Sequence, residues 1–468
     1  MKLTYLGHQG WMITHQKTNI LIDPLLTETF GNSPEIRFRV YPHRTIDVSR
    51  MPSISGIFIT NEHLDHCHFD SLAKLPKSIP IFVGNLMPLC TKEALRKRGF
   101  TVNNVSNMSH VFIDDMKISF FLGSSETALW ERRVYNLYIT SKTNQANSVL
   151  IQSDTLLNEL FTEKNTLDLT PEILIATNNS QITPHGNSKI HSNMLPIDEE
   201  KENGLRILYE IINSHKNSIP SLNHIVLSGS NYTIDEIDEC PFYYADFKKL
   251  ANVATQLSLD FFVHGLIPGE VVDFNKLEAN YTEVDWIVRT TEKSSQEYHD
   301  ECEDGLMGPI FKNLVDKKNL SSTIKNILVS FEDMSKIIPL SSFGKQLLNT
   351  NEYLSGMLGA ERFVIHLKYD KNQHYLFCYD VSKSCFVFYK SEKTLDDIIR
   401  KFPYGISLFI HDFVAILEGH IQIWELSVAN IKQWYLSSKY QSPIMFLYEY
   451  FSEHIQQDIA RRVYERQD

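Results

Sequence analysis

Apolar and polar positions begin to alternate at the first residues of the chain. Leu3-Thr4-Tyr5-Leu6, Gly10-Trp11-Met12-Ile13 and Asn19-Ile20-Leu21-Ile22 predict three successive strands of a meander. Asp23-Pro24 ends the third, because proline restricts the residue before it and donates no hydrogen bond. Ile57-Phe58-Ile59 is a continuous apolar run and predicts a buried strand. A short helix over 69–75, a strand over 79–85 and a helix over 91–99 closed by Gly99 complete a βαβ unit. Strands are expected at 116–122, 134–140, 147–152, 171–176 and 223–227, and helices at 204–214 and 246–256. The stretch 178–203 is rich in Asn, Ser, Pro and Gly and reads as a long loop.

The pattern changes near residue 285. Short helices over 307–317 and 320–331 lead into three strands at 363–369, 375–380 and 384–389. Helical spacing follows over 394–401, 408–417 and 430–435. The expected organisation is one domain over 1–290, a linker over 291–305 and a smaller α+β domain over 306–468.

Composition narrows the function classes. Hydrophobic residues make up 43% and charged residues 22%, an ordinary globular balance. A formal charge of -12 argues against nonspecific nucleic-acid binding, which needs a basic surface. There is no apolar run long enough to span a membrane and no signal-peptide pattern at the start. The six cysteines are scattered without a Cys-x-x-Cys pair, so neither a disulfide framework nor a zinc ribbon is expected. A reducing cytoplasm is the expected location.

The candidate chemistry follows the 57–59 strand, at Thr60-Asn61-Glu62-His63-Leu64-Asp65-His66. Imidazole nitrogen and carboxylate oxygen both suit zinc or iron, and a strand end fixes where they point. This stretch resembles the His-x-His-x-Asp-His signature of the metallo-β-lactamase superfamily, with Asn61 in place of the first histidine. Leu6-Gly7-His8-Gln9-Gly10, Leu21-Ile22-Asp23-Pro24-Leu25-Leu26 and Val149-Leu150-Ile151-Gln152-Ser153-Asp154-Thr155 extend the resemblance in order. Ile79-Pro80-Ile81-Phe82-Val83-Gly84-Asn85, Pro268-Gly269-Glu270-Val271-Val272-Asp273 and Val414-Ala415-Ile416-Leu417-Glu418-Gly419-His420 make the chain similar to the lactamase-like part of the CMP-N-acetylneuraminate hydroxylases. The Rieske iron–sulfur module of that family has no counterpart here, because no Cys-x-His…Cys-x-x-His pairing occurs.

The resemblance implies an α/β (α+β) fold, an αββα metallo-β-lactamase sandwich with a second, smaller α+β domain. It implies a metal site to which His63, Asp65, His66 and Asp154 correspond. Three further ligand positions carry no histidine: Asn61, the stretch Gly123-Ser124-Ser125-Glu126, and Ser228-Gly229-Ser230-Asn231. The expectation is one divalent ion, zinc or iron, on Asp65, His66 and Asp154 with His63 alongside. Asp65 and His66 are the expected catalytic pair, acting through a metal-held water on a small polar or phosphorylated substrate. Two alternatives stand beside this: an iron oxygenase served by an external reductase, and a noncatalytic binding or scaffold protein. His8 is expected to line the cleft, His185, His191 and His264 are candidate substitute ligands, and Cys67 and His68 directly follow the motif.

Overall fold

The computed structural model describes residues 1–290 and 308–466, apart from 128, 143–146, 163–166, 180–187, 191–203, 216–217, 230, 235–244, 258, 276–277, 351–359, 371, 392, 437–440 and 454. The chain forms two compact units. The first takes Met1–Gly31, Arg37–Ile182 and Glu200–Cys302, and the second takes Asn32–Ile36, Thr183–Glu199 and Glu303–Asp468. The linker expected over 291–305 lies outside the described residues.

Two mixed sheets build the first unit. One runs, in spatial order, Glu278–Glu283, Glu270–Asn275, Lys2–Gly7, Gly10–His15, Thr18–Ile22, Gly56–Ile59, Ile81–Gly84, Val102–Val105. The other runs His110–Ile113, Met116–Leu122, Tyr135–Ser141, Val149–Ile151, Ile173–Thr177, His224–Ser228, Phe262–His264. Trp11, Ile20, Ile22 and Phe58 of the first sheet share a fully buried core with Ile118, Phe120, Leu137 and Ile139 of the second. Strand alternation explains the sides. Val149 and Ile151 enter this inner core, while Leu150 between them joins Leu174, Ile225 and Leu227 on the outer face. Helices Leu205–His215 and Phe247–Thr255 cover that outer face with Leu208, Ile212, Leu250 and Ala254. The Asp246 carboxylate caps the second helix by accepting from the amides of Lys248 and Lys249 at 3.0 and 3.1 Å. This is the expected αββα sandwich, with element boundaries within a few residues of those read from periodicity.

The second unit holds a six-stranded sheet in the order Ser188–Ile190, Lys432–Tyr435, Tyr404–Phe409, Glu361–Lys368, His374–Asp380, Cys385–Ser391. Helix Leu320–Ile337 packs Phe331 on Phe377 of one face, with ring centroids 4.6 Å apart. Helix Leu395–Lys401 covers part of the other face, burying Ile398, Ile399 and Phe402 against Val364, Leu376, Cys378 and Trp434.

Four expectations need correction here. The helix expected over 430–435 is not there: a helix over Ile423–Asn430 ends where it was to begin, and Lys432–Tyr435 is a strand, because Trp434 is buried among sheet neighbours and the segment pairs on both sides. The segment 178–203 is not all loop, since Ser188–Ile190 pairs parallel to that strand. Residues 308–317 form turns instead of a helix. The amides of Phe311 and Val315 donate to Asp412 Oδ1 and His411 Nδ1 rather than to a helical ladder. Leu408 and Phe409 finish a strand, and the helix begins at Ile410.

Candidate metal centre

Strand Gly56–Ile59 lies parallel to Thr18–Ile22, so the two finish side by side. At their ends Asp23 accepts from the Thr60 amide at 2.8 Å and from the Thr60 hydroxyl at 2.6 Å. Beyond Thr60 the chain closes on itself. Asn61 Oδ1 accepts from the His63 amide at 2.9 Å, and the amides of His66 and Cys67 donate to the His63 carbonyl at 2.9 and 2.6 Å. These turns bring Asp65 and His66 back over the strand ends.

His66 is fully buried and meets carboxylates on both ring nitrogens. Nδ1 lies 2.8 Å from Asp23 Oδ2, and Nε2 lies 2.8 Å from Asp154 Oδ2 and 3.5 Å from Asp65 Oδ2. Asp154 follows strand Val149–Ile151, and its other oxygen accepts from Gln9 and Asn179, each at 3.1 Å. His8 Nε2 lies 2.9 Å from Asp65 Oδ2. Donor atoms of Asp65, His66 and Asp154 all fall within 4.8 Å of one another.

Three residues that frame this cluster hold left-handed backbone without being glycine: His8 at φ 56°, Asp23 at φ 43° and Ser153 at φ 56°. Each costs on the order of 1–2 kcal/mol in an L-residue. The interlocked bonds around them hold the conformations in place; Ser153, for example, has its hydroxyl 2.7 Å from that of Thr60.

Charge and burial oppose each other throughout the cluster. Burial pulls the His66 imidazolium down, but Asp65, Asp154 and Asp23 outweigh it and hold its pKa well above the usual histidine value. Burial pushes Asp154 and Asp65 up, and His66 outweighs it and lowers both. Glu131, missed in the sequence, is raised to about 7 by burial and then by Asp154.

Of the four residues expected to hold an ion, the structure brings together Asp65, His66 and Asp154; His63 lies outside that group. His63 is half-buried, and burial lowers its pKa. Neighbouring Glu62 pairs with Arg133, whose Nε stands 2.8 Å away. His8 is in the cluster's wall, as expected. His185 and His191 lie outside the described residues. His264 is bonded to His224 at 3.0 Å and to the Tyr281 hydroxyl, apart from the cluster. Cys67 is fully buried, and His68 Nδ1 meets Ser71 Oγ at 2.8 Å. Asp23 was legible only as the end of a strand. A carboxylate closing a strand next to the motif strand was the available signal.

The positions without histidine are occupied by closed hydrogen bonds. Ser124 and Ser125 donate from their hydroxyls to Glu159 at 2.7 and 2.8 Å. Ser228 donates to the His8 carbonyl at 3.0 Å and accepts from Trp11 Nε1 at 3.0 Å.

The residues present fit a dication. Asp65 Oδ1 is buried without a hydrogen-bond partner, and two carboxylates with one imidazole are a donor set that zinc and iron(II) both accept.

No curated protein matches the sequence. Among solved structures, the chain is similar to an isothiocyanate hydrolase from Delia radicum gut bacteria, at 18% identity and TM-score 0.40, over 59% of this chain and 100% of that one. It is similar to a metallo hydrolase from the archaeon Ignicoccus hospitalis at 15% identity and TM-score 0.37, over 58% and 98%. A diiron β-hydroxylase from Streptomyces venezuelae aligns at 14% identity and TM-score 0.36, over 60% and 54%. None of these is a CMP-N-acetylneuraminate hydroxylase, and that likeness rests on the sequence motifs alone. The family described as the beta-lactamase superfamily domain matches residues 18–128, which include Asp23 and the whole 60–66 motif. The first unit therefore has the mixed α/β fold of the metallo-β-lactamase superfamily.

Proposed function

We propose that the first unit is a hydrolase that works with one divalent ion on Asp65, His66 and Asp154. The observation that carries this is the convergence of their donor atoms within 4.8 Å at the ends of buried strands. An ion bound there supplies Lewis acidity and a water whose pKa falls toward neutrality. The chain's own residues do the rest. Asp23 fixes the His66 ring through Nδ1, so that Nε2 faces the cluster. Gln9 and Asn179 hold one Asp154 oxygen and leave the other turned to His66. His8 orients Asp65. Amide and hydroxyl groups around the cluster favour a small polar substrate, an ester, amide or phosphodiester.

The same donor set favours a second reading if the ion is iron: an oxygenase that draws electrons from a separate reductase, as the sequence likeness to the sialic-acid hydroxylases implies. The test is elemental analysis of protein purified without added metal or chelator, followed by hydrolysis of bis(p-nitrophenyl) phosphate and by oxygen uptake with a reductant. One zinc per chain with hydrolysis supports the first reading, and iron with oxygen uptake supports the second. Protein that takes up no ion even from a metal-containing buffer overturns both and leaves a binding protein.

A further inference from the structure

The two helices on the second sheet of the first unit leave part of its outer face open. They cover Leu150, Leu174, Ile225 and Leu227. The outer face of His110–Ile113, Met116–Leu122 and Tyr135–Ser141 instead floors a pocket of about 790 Å³. That volume lies in the range of small-molecule sites, roughly 300–1,000 Å³. Register sets the floor. Ile118, Phe120, Leu137 and Ile139 point into the inner core, so the residues between them point outward. Two adjacent cross-strand rows result: His110, Ser119, Tyr138 and Phe112, Lys117, Thr140. All six line the pocket. Where the open face meets the covered one, Phe161 packs on Phe121 and Tyr138 with ring centroids 4.8 and 5.6 Å apart.

The floor holds polar groups without partners. Ser119, Tyr138 and Thr140 are only 7%, 5% and 7% exposed, yet among the described residues none of their hydroxyls has a hydrogen-bond partner. Polar groups this deep are nearly always hydrogen-bonded, so their partner comes from the pocket side. Lys117 is half-buried beside them and has no hydrogen bond or ion pair among the described residues. Lys142 is already engaged: its ammonium donates to the Asp114 carbonyl and stands 4.7 Å from the Phe112 ring centroid. Among the described residues the one acid lining the pocket is Asp168, which is exposed. In a chain of formal charge -12, this pocket therefore sets two lysines against one carboxylate. Met108, Phe112 and Leu167 supply apolar walls and are left 52%, 52% and 47% exposed.

We infer that this pocket binds a small organic carboxylate with an apolar body. Lys117 brings one ammonium whose donors are all unused, which matches a monoanion. The hydroxyls of Thr140, its cross-strand partner, and Ser119, two residues on, donate to the carboxylate oxygens. The body lies along Met108, Phe112 and Leu167, covering surface that is otherwise wet.

Calorimetric titration of the full chain with octanoate tests this. The parent should bind one octanoate per chain. Octanamide keeps the body without the charge, and acetate keeps the charge without the body; each should bind at least about tenfold more weakly. Lys117→Gln should weaken octanoate about tenfold or more and Thr140→Val several-fold, with melting temperatures near the parent's. Lys117→Arg should retain binding, because the charge stays. Asp154→Ala should also retain it, because the metal ligands do not line the pocket. No saturable binding by the parent, equal binding of octanamide or acetate, undiminished binding by Lys117→Gln, or loss of binding in Asp154→Ala would overturn the inference. Octyl phosphate binding more tightly than octanoate would overturn the assignment to a carboxylate.

Discussion

Two sets of residues at the first unit's strand ends solve opposite problems. On one, Asp65, His66 and Asp154 place ionisable groups within 4.8 Å of one another, and Asp23 adds a third carboxylate against the buried imidazole. On the other, Asn61, Ser124, Ser125 and Ser228 occupy positions where the superfamily resemblance implies histidines. Their hydrogen bonds close locally, onto the His63 amide, Glu159 and the His8 carbonyl. The first side is held by charge that a dication would relieve. The second closes largely on itself, with only Asn61 Nδ2 among these side chains buried without a hydrogen-bond partner, and it offers only dipoles. That contrast is why the proposed function places one ion on Asp65, His66 and Asp154.

Removing Asp154 should break the charged side most completely. Metal content should fall from one ion per chain in the parent to none in Asp154→Ala, while Asn61→Ala keeps its ion. Asn61→His alone should still hold one, because Ser124 and Ser125 remain tied to Glu159. Two ions in the parent would erase the contrast between the sides. Asp23→Ala comes next. It strips acceptors from His66 Nδ1 and from Thr60 inside the core and should cost about 3–5 kcal/mol in urea denaturation. A loss below about 1 kcal/mol would show that the carboxylate does not organise the site.

The pH dependence sharpens the comparison further. His66 has a raised pKa, so its contribution is complete below about 6.5 and is lost as pH rises through the higher folded value. Glu131 is raised to about 7, so stability should also decline as pH climbs from about 4.5 through that value. Asp65 and Asp154 are lowered, and their contribution disappears as pH falls below about 4. The cluster's own contribution should thus peak near pH 4–5, but burial lowers His68, His215 and His264 to about 4, so the metal-free protein as a whole should lose stability as pH falls below about 6.5. Glu131→Gln should recover about 1–3 kcal/mol at pH 8 in thermal melts with chelator, and no decline above about pH 6.5 in the parent would mean that His66 shares no proton with the carboxylates. The smallest effect belongs to the neutral side: Asn61→Ala should cost about 1 kcal/mol, the worth of one local turn bond.

Much of this was readable from the sequence. Alternation and apolar runs locate the strands, and a motif at a strand end locates Asp65 and His66. The rest depended on what meets what. Nothing local marks His8, Asp23 and Ser153 as left-handed, because tertiary hydrogen bonds impose that backbone. Asp23 looked like punctuation before a proline until the parallel pairing set it against Thr60 and His66. Lys432–Tyr435 was misread because its strand character comes from partners at 404–409 and 188–190, far away in the chain.

That last pairing bears on how the polypeptide can be divided. The sheet of the second unit draws an edge strand from Ser188–Ile190, more than a hundred residues before the rest of it. No single cut yields two self-sufficient pieces. A fragment starting at 303 would expose the unpaired edge of Lys432–Tyr435 to its own copies, an invitation to aggregate. During synthesis on the ribosome, the 188–190 segment must wait for its partner strand until Lys432–Tyr435 has emerged.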